Sequence, residues 1–255
     1  MQNPMFLKMQ YQMSNLFIHT SKSVLLCSHA KMSSILIKIL SMQFLFFLCA
    51  SQQYDFFYLV QQWNPSYCNT KRSCCYPIYG KPATDFGIHS LWPYFANGSY
   101  PQNCNKIHKS VFDEAKISEL IGRMQKDWPS LSCPSTNGSK IWKHEWTTRG
   151  TCSVATLDQH SYFEAALNMK EKINILQILK NAGIKPGGVY SIFDINEAIR
   201  KVTGHEAGIH CNKDAFGKSQ LYKVYICVDP SGSRVIECPG IPMGKCRSTI
   251  KFPSF

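Results

Sequence analysis

The chain has 255 residues, a formal net charge of +12 and 44% hydrophobic residues. That length bounds it to one good-sized domain or two small ones, and that composition excludes an intrinsically disordered chain. Four of the basic residues (Lys8, Lys22, Lys31 and Lys38) lie in residues 1–50, which carry no acid, so the rest of the chain carries +8. A surface of that sign favours polyanions: RNA, DNA, anionic glycans or membrane surfaces.

Residues 32–50, MSSILIKILSMQFLFFLCA, combine a Lys, an apolar run and a small-residue end. This is the pattern of a secretory signal peptide, with cleavage expected near Ala50 or Ser51. The uninterrupted run ILSMQFLFFLCA is short for a membrane anchor. Residues 1–50 are therefore read as an N-terminal extension plus signal peptide outside the fold, with one domain over 51–255. Twelve cysteines occur, and only Cys27 and Cys49 fall in the leader. The other ten are scattered without a zinc-type spacing, which points to up to five disulfides and an oxidising compartment. Spacing alone leaves their pairing open.

From Asp55, DFFYLVQQW has the length and composition of a strand. NPSYCNTKRSCCYPIYGKP reads as a stapled loop of turn residues. DFGIHSLWP is a second strand ending at Pro93, followed by a loop with the sequon Asn97-Gly98-Ser99. A second sequon starts at Asn137, and both matter only in a secreted chain. A helix capped at Ser110 is expected, with Ile117, Leu120, Ile121 and Met124 on one face. One long helix is expected over 162–182, stopped by Gly183, and another over 191–202 with Gly204 beyond it. GHEAGIHC and QLYKVYICVD read as strands, and the turn at Pro230-Ser231-Gly232-Ser233 suggests a hairpin with RVIECP. The fold class is α+β, with helices and an antiparallel sheet.

Chemistry concentrates in WKHEWTTRGTC, residues 142–152, read as a helix ending at Gly150. Trp142 and Trp146 share an inward face, while Glu145 and Arg149 are spaced to pair. A bland reading is a surface Glu–Arg pair beside a packed His144. His89, in FGIHSLWP, is by itself more often a core histidine than a catalyst. Together, His89, His144, Glu145, a basic partner and nearby aromatics meet the needs of metal-free RNA cleavage. A base takes the 2′-hydroxyl proton, an acid protonates the departing 5′-oxygen, cations offset phosphoryl charge and rings stack on bases.

These motifs, with LVQQW, CNTKRSCCYP and SELIGRMQKDWPSLSC, resemble the secreted ribonuclease T2 family, most closely its plant S-like branch. The resemblance runs from about Tyr58 to the end. It implies an antiparallel sheet flanked by helices and the pairs Cys68–Cys74, Cys75–Cys133, Cys104–Cys152, Cys211–Cys246 and Cys227–Cys238. It implies that His89 protonates the leaving group and that His144 and Glu145 stabilise the phosphoryl transition state. It places Trp92 as the base-stacking residue, with Tyr94, Tyr100 and Gln62 as further base contacts. It also implies cleavage of single-stranded RNA through a 2′,3′-cyclic phosphate, with no metal or organic cofactor, by a monomer that is extracellular or vacuolar and free of the membrane once mature.

Two positions depart from the family pattern. Ser90 stands where IHGLWP has Gly, and would be strained by about 1 kcal/mol if that Gly held a conformation Ser dislikes. Arg149 stands where HEWxxHGTC has the general-base His. Arginine stays protonated and cannot accept the 2′-hydroxyl proton. The expectation is therefore a ribonuclease with impaired turnover, the alternative being a catalytically silent, ribonuclease-like protein with an RNA-binding, storage or defence role. His108, His160, His205 and His210 match no catalytic position and are read as structural or surface residues.

Overall fold

The computed structural model describes residues 54–254 apart from 109 and 243. The segment 1–50, with the signal peptide expected at 32–50 and with Cys27 and Cys49, lies outside the described residues. The sheet runs in the order β2 (Phe86–Tyr94), β1 (Phe56–Trp63), β5 (Ser219–Val228), β6 (Thr249–Lys251) and β3 (Val189–Ser191), with β4 (Gly208–Lys213) also paired to β5. The pairings are antiparallel except β5 with β6, which meet in parallel only at Gln220 and Lys251.

β1 is central and buried throughout. Its alternation sends Phe57, Leu59 and Trp63 into the main core, packed with the helices, while Phe56, Tyr58 and Val60 form a smaller cluster with Cys227 and Cys238. A strand covered on both faces reads as a near-continuous apolar run, as this one does. β2 lies at the sheet's end and continues through Pro93 to Tyr94 rather than stopping at Pro93. An edge strand tolerates a missing N–H. Five disulfides join Cys68–Cys74, Cys75–Cys133, Cys104–Cys152, Cys211–Cys246 and Cys227–Cys238.

Several elements differ from the sequence reading. NPSYC is a short helix, α1 (Asn64–Cys68), because Pro65 in its first turn is preset for a helix start. A further short helix, α2 (Asn105–His108), lies in the loop after β2. The helix expected from Ser110 is capped instead by Asp113, whose side chain accepts from the Ala115 N–H. It is a 3₁₀ segment (Glu114–Leu120) kinked at Ile117, then α3 (Ile121–Asp127). The helix of the WKHEWTTRGTC motif, α4 (Ser139–Thr148), ends before Arg149, and Gly150–Ser153 is a separate 3₁₀ turn. The long helix over 162–182 is two helices, α5 (Gln159–Lys172) and α6 (Ile175–Asn181). Asn174 restarts the chain by accepting from the Gln177 N–H at 2.9 Å. α7 (Ile192–Thr203) starts at the Ser191 cap and ends at Gly204, whose φ of 80° suits a residue without Cβ. The expected hairpin with RVIECP reduces to one bridge, Val228 to Val235. Asp229 folds the turn back on itself by accepting from the Ser233 and Arg234 N–H groups.

Candidate functional site

Two irregularities in the sheet build the site. On β2, Ser90 pairs with Val60 and Ile88 with Gln61, so His89 is the extra residue of a bulge. On β5, Lys223 pairs with His210 and Leu221 with Cys211, so Tyr222 is extra there. A bulge breaks the alternation and re-aims the side chain beside it. The result brings Lys223 Nζ to 2.8 Å from His89 Nε2. Lys223 also sits directly opposite Gln62 on β1.

α4 supplies the other wall. Trp142 and Trp146 are buried, and the Trp142 indole N–H donates to the Trp128 carbonyl at 3.0 Å. Gly150 lies flat against the Trp146 ring, leaving no room for a Cβ. Anchored in this way, α4 places Glu145 inside the protein, 4% exposed, rather than in a surface pair. Arg149 Nη1 reaches Glu145 Oε2 at 2.6 Å, and Ser90 Oγ donates to Glu145 Oε1. The guanidinium also lies 4.3 Å from the centre of the Trp92 ring. Arg149 therefore turns inward, onto Glu145 and Trp92.

The strain considered for Ser90 does not arise. Ser90 lies in β2 and is not among the residues with positive φ. Its hydroxyl is fully buried and spent on Glu145.

A cleft of about 260 Å³ is lined by Gln62, Asn64, Tyr67, His89, His144, Glu145 and Arg149. A larger depression, about 660 Å³, is lined by Lys71, Arg72 and Lys213 among others, but contains none of His89, His144, Glu145 and Arg149. Trp92, Tyr94 and Tyr100 lie outside the cleft lining and form their own cluster, with ring centres 4.8–5.1 Å apart. Arg149 bridges that cluster to the cleft.

The electrostatics follow from this crowding. Burial pushes the Glu145 pKa up; the Arg149 charge and the Ser90 hydrogen bond oppose it. Both of its oxygens accept hydrogen bonds, so neither is free to take a proton from a substrate. Surrounding protein, then the charges of Lys223 and Arg149, push His89 from 6.5 to about 3. Solvent reaches the ring from the cleft and softens the first cause, but the two cations act in the same direction. Burial, then Arg149, bring Lys223 from 10.5 to about 8, with Glu145 working against them. His144 is exposed, with Nδ1 3.5 Å from Thr148 Oγ1.

The sequence reading missed Lys223, Asn64 and Tyr67. The signal for Lys223 was a lone cation inside the apolar strand QLYKVYICVD. Among the remaining histidines, His160 pairs with Glu119 at 2.6 Å, His205 with Glu237 at 2.8 Å, and His210 Nε2 lies 3.2 Å from the Pro242 carbonyl. The His108 side chain lies outside the described residues. Both sequon residues, Asn97 and Asn137, are exposed.

Among the described residues, no helix is long and apolar enough to cross a membrane, and no group of three or more His, Cys, Asp or Glu side chains is placed to hold a metal ion.

Comparison with known proteins places this arrangement. The chain is 55% identical over 225 residues to the intracellular ribonuclease LX of Solanum lycopersicum, covering 87% of this chain and 93% of the relative. It is 50% identical to the extracellular ribonuclease LE of the same species, covering 90% of this chain and all of the relative. The crystal structure of RNase NT in complex with 5′-AMP superposes with a TM-score of 0.76 at 50% identity, covering 79% of this chain and 99% of that one. Residues 54–238 match the Ribonuclease T2 family, and the chain belongs to that family.

Proposed function

We propose that this chain is an endonuclease that cleaves single-stranded RNA by 2′-hydroxyl attack, through a 2′,3′-cyclic phosphate, with turnover lowered by Arg149. The observation that carries the reading is the charge of the cleft. Arg149 in the lining and Lys223, against the lining residue His89, outnumber the one buried carboxylate, Glu145, beside the two histidines of the motifs. An excess of positive charge in a protein-walled cleft suits a phosphodiester and the charge that builds on its oxygens. Membership of a ribonuclease family, and the nucleotide held by RNase NT, support RNA as the substrate class.

The role of each side chain follows from its place. Arg149 cannot accept a proton, and Glu145 has both oxygens engaged. His144 is the cleft imidazole left to take the 2′-hydroxyl proton. It stands one residue before Glu145, on the exposed side of α4, so the lost base is replaced poorly. Loss of a placed general base typically lowers rates by roughly 10²–10⁴. Tyr100 and Gln62 are the candidate base contacts, together with Tyr94. Trp92, whose ring lies under Arg149, packs the cluster. Five disulfides favour an oxidising compartment, in keeping with removal of residues 1–50 on the secretory route, glycans at Asn97 and Asn137, and a monomeric extracellular or vacuolar enzyme.

A second reading, a silent ribonuclease-like protein that binds RNA or serves in storage or defence, is favoured by the closure of Arg149 onto Glu145. Cleavage of single-stranded RNA by the purified protein, Arg149→His and His89→Ala separates the two. Weak cleavage that falls to background in His89→Ala and rises about 10²-fold or more in Arg149→His supports the enzyme. Cleavage no greater than that of His89→Ala overturns it in favour of the silent reading.

A further inference from the structure

We propose that the depression between residues 68–74 and the tip of the β4–β5 hairpin is a second nucleotide site, which holds the strand of RNA running on from the cleft. The inference rests on RNA as the substrate class and extends that reading to a surface outside the catalytic motifs.

Two segments held at a fixed spacing build the depression. The Cys68–Cys74 disulfide closes the first, and the Ser73 N–H donates to the Thr70 carbonyl inside it. The Ala215 N–H of the hairpin tip donates to the Asn69 carbonyl at 2.9 Å, and the side-chain amides of Asn69 and Gln220 bond to each other. Asp214 is the one acid in the lining. It is buried, and one of its oxygens accepts from the Phe216 and Lys218 N–H groups of its own turn.

The cations have no such duty. Lys71, Arg72 and Lys213 line the depression, and Lys218 follows at the hairpin tip. All four are exposed, and none of them is in an ion pair among the described residues. The concavity of about 660 Å³ is therefore positive, and its size suits a small ligand such as a nucleotide. Phe216 stands between the lining residues Asp214 and Gly217 and is 89% exposed. A bare ring beside a basic concavity is what single-stranded nucleic acid recognition uses: cations for the phosphates and a ring face for a base.

The depression is continuous with the cleft. Tyr67 lines both. Tyr222, in the wall of the depression, has its ring 5.0 Å from Lys223 Nζ, which lies 2.8 Å from His89 in the cleft. A strand that leaves the cleft past Tyr67 enters the depression next.

The test measures binding, so it does not depend on turnover. The full chain, the triple variant Lys71→Gln/Arg72→Gln/Lys213→Gln and Phe216→Ala are titrated with fluorescent 2′-O-methyl oligonucleotides, which cannot be cleaved. One is a trinucleotide and the other has about ten residues, and salt runs over roughly 50–200 mM. For the longer one, the triple variant is expected to lose about tenfold or more in affinity. Its log–log salt slope falls by about 2, since each phosphate contact on a single strand contributes roughly 0.7. Phe216→Ala loses about fivefold or more with its salt slope unchanged. The trinucleotide holds within about threefold throughout, because charges beyond the cleft are screened. Equal affinity of the natural protein and the triple variant for the longer oligonucleotide overturns the proposal. So does an equal loss for both lengths, which is an effect of net charge. Loss in the triple variant with none in Phe216→Ala overturns RNA as the occupant, in favour of a polyanion without bases. If the natural protein binds neither oligonucleotide, the RNA reading of the cleft itself falls, and this site with it.

Discussion

Two buried clusters of charge among the described residues are composed differently. In one, the Lys170 ammonium on α5 lies 2.6 Å from Asp85, ahead of β2, and 3.2 Å from Asp127, at the end of α3. In the other, Arg149 pairs with the single carboxylate Glu145 and lies over the Trp92 ring, while Lys223 meets His89. The first has more anion than cation, joins three segments and is absent from the cleft lining. The second has more cation than anion, and its Arg149, Glu145 and His89 line the cleft. Burial is common to both; the sign of the leftover charge is what separates a structural tie from a place to bind an anion. The Lys170 pKa responds accordingly: burial lowers it, but Asp85 and Asp127 outweigh burial and the net shift is upward. For Lys223 burial wins, because the Arg149 charge adds to it and outweighs Glu145.

The most severe break in this comparison is Lys170→Met. It strands two carboxylates in the protein and is expected to lower stability by about 3–5 kcal/mol, measured by urea unfolding. Arg149→His comes next. A restored proton acceptor should speed RNA cleavage about 10²-fold or more, equivalent to roughly 2.7 kcal/mol of barrier, measured as kcat/KM.

The pH dependence of stability sharpens the contrast. Lys223 has a folded pKa of about 8, below the ordinary 10.5, so between those values the unfolded chain binds more protons and stability rises with pH. Lys223→Met should remove that rise, a difference on the order of 2 kcal/mol once its partial exposure is allowed for, in urea unfolding across the same window. Lys170 has the opposite sign. Its raised pKa gives stability that is fully present below 10.5 and lost as pH climbs through the folded value, so Lys170→Met should remove a loss at alkaline pH rather than a gain.

The smallest effect belongs to Ser90→Ala. It removes the Ser90 hydrogen bond to the Glu145 carboxylate and should cost roughly 1.5 kcal/mol, because Arg149 remains. The same variant should leave the backbone of β2 unchanged in its NMR shifts beyond the immediate neighbours, since Ser90 sits in an unstrained strand.

Much of the fold was legible in the sequence. The run FFYLVQQW declared a strand by composition, and Ser191 and Gly204 marked the ends of α7. What was misread locally was misread for local reasons: an apolar periodicity continues across Asn174, so the break between α5 and α6 is hidden until the cap is seen.

The site divides along the same line. The residue types in the two motifs, with the family resemblance, singled out His89, His144, Glu145 and Arg149 as candidates, and the i, i+4 spacing of Glu145 and Arg149 predicted that they pair. Helical period is a property of neighbouring residues, so a sequence carries it openly. Whether that pair lay on the surface or inside, and whether Ser90 was strained or useful, depended on a contact spanning 55 residues. That Lys223 reaches His89 depended on two bulges and a contact spanning 134 residues. A bulge shifts register by one residue and so reverses which side chains meet. No local pattern records that shift, and only the paired strands decide it.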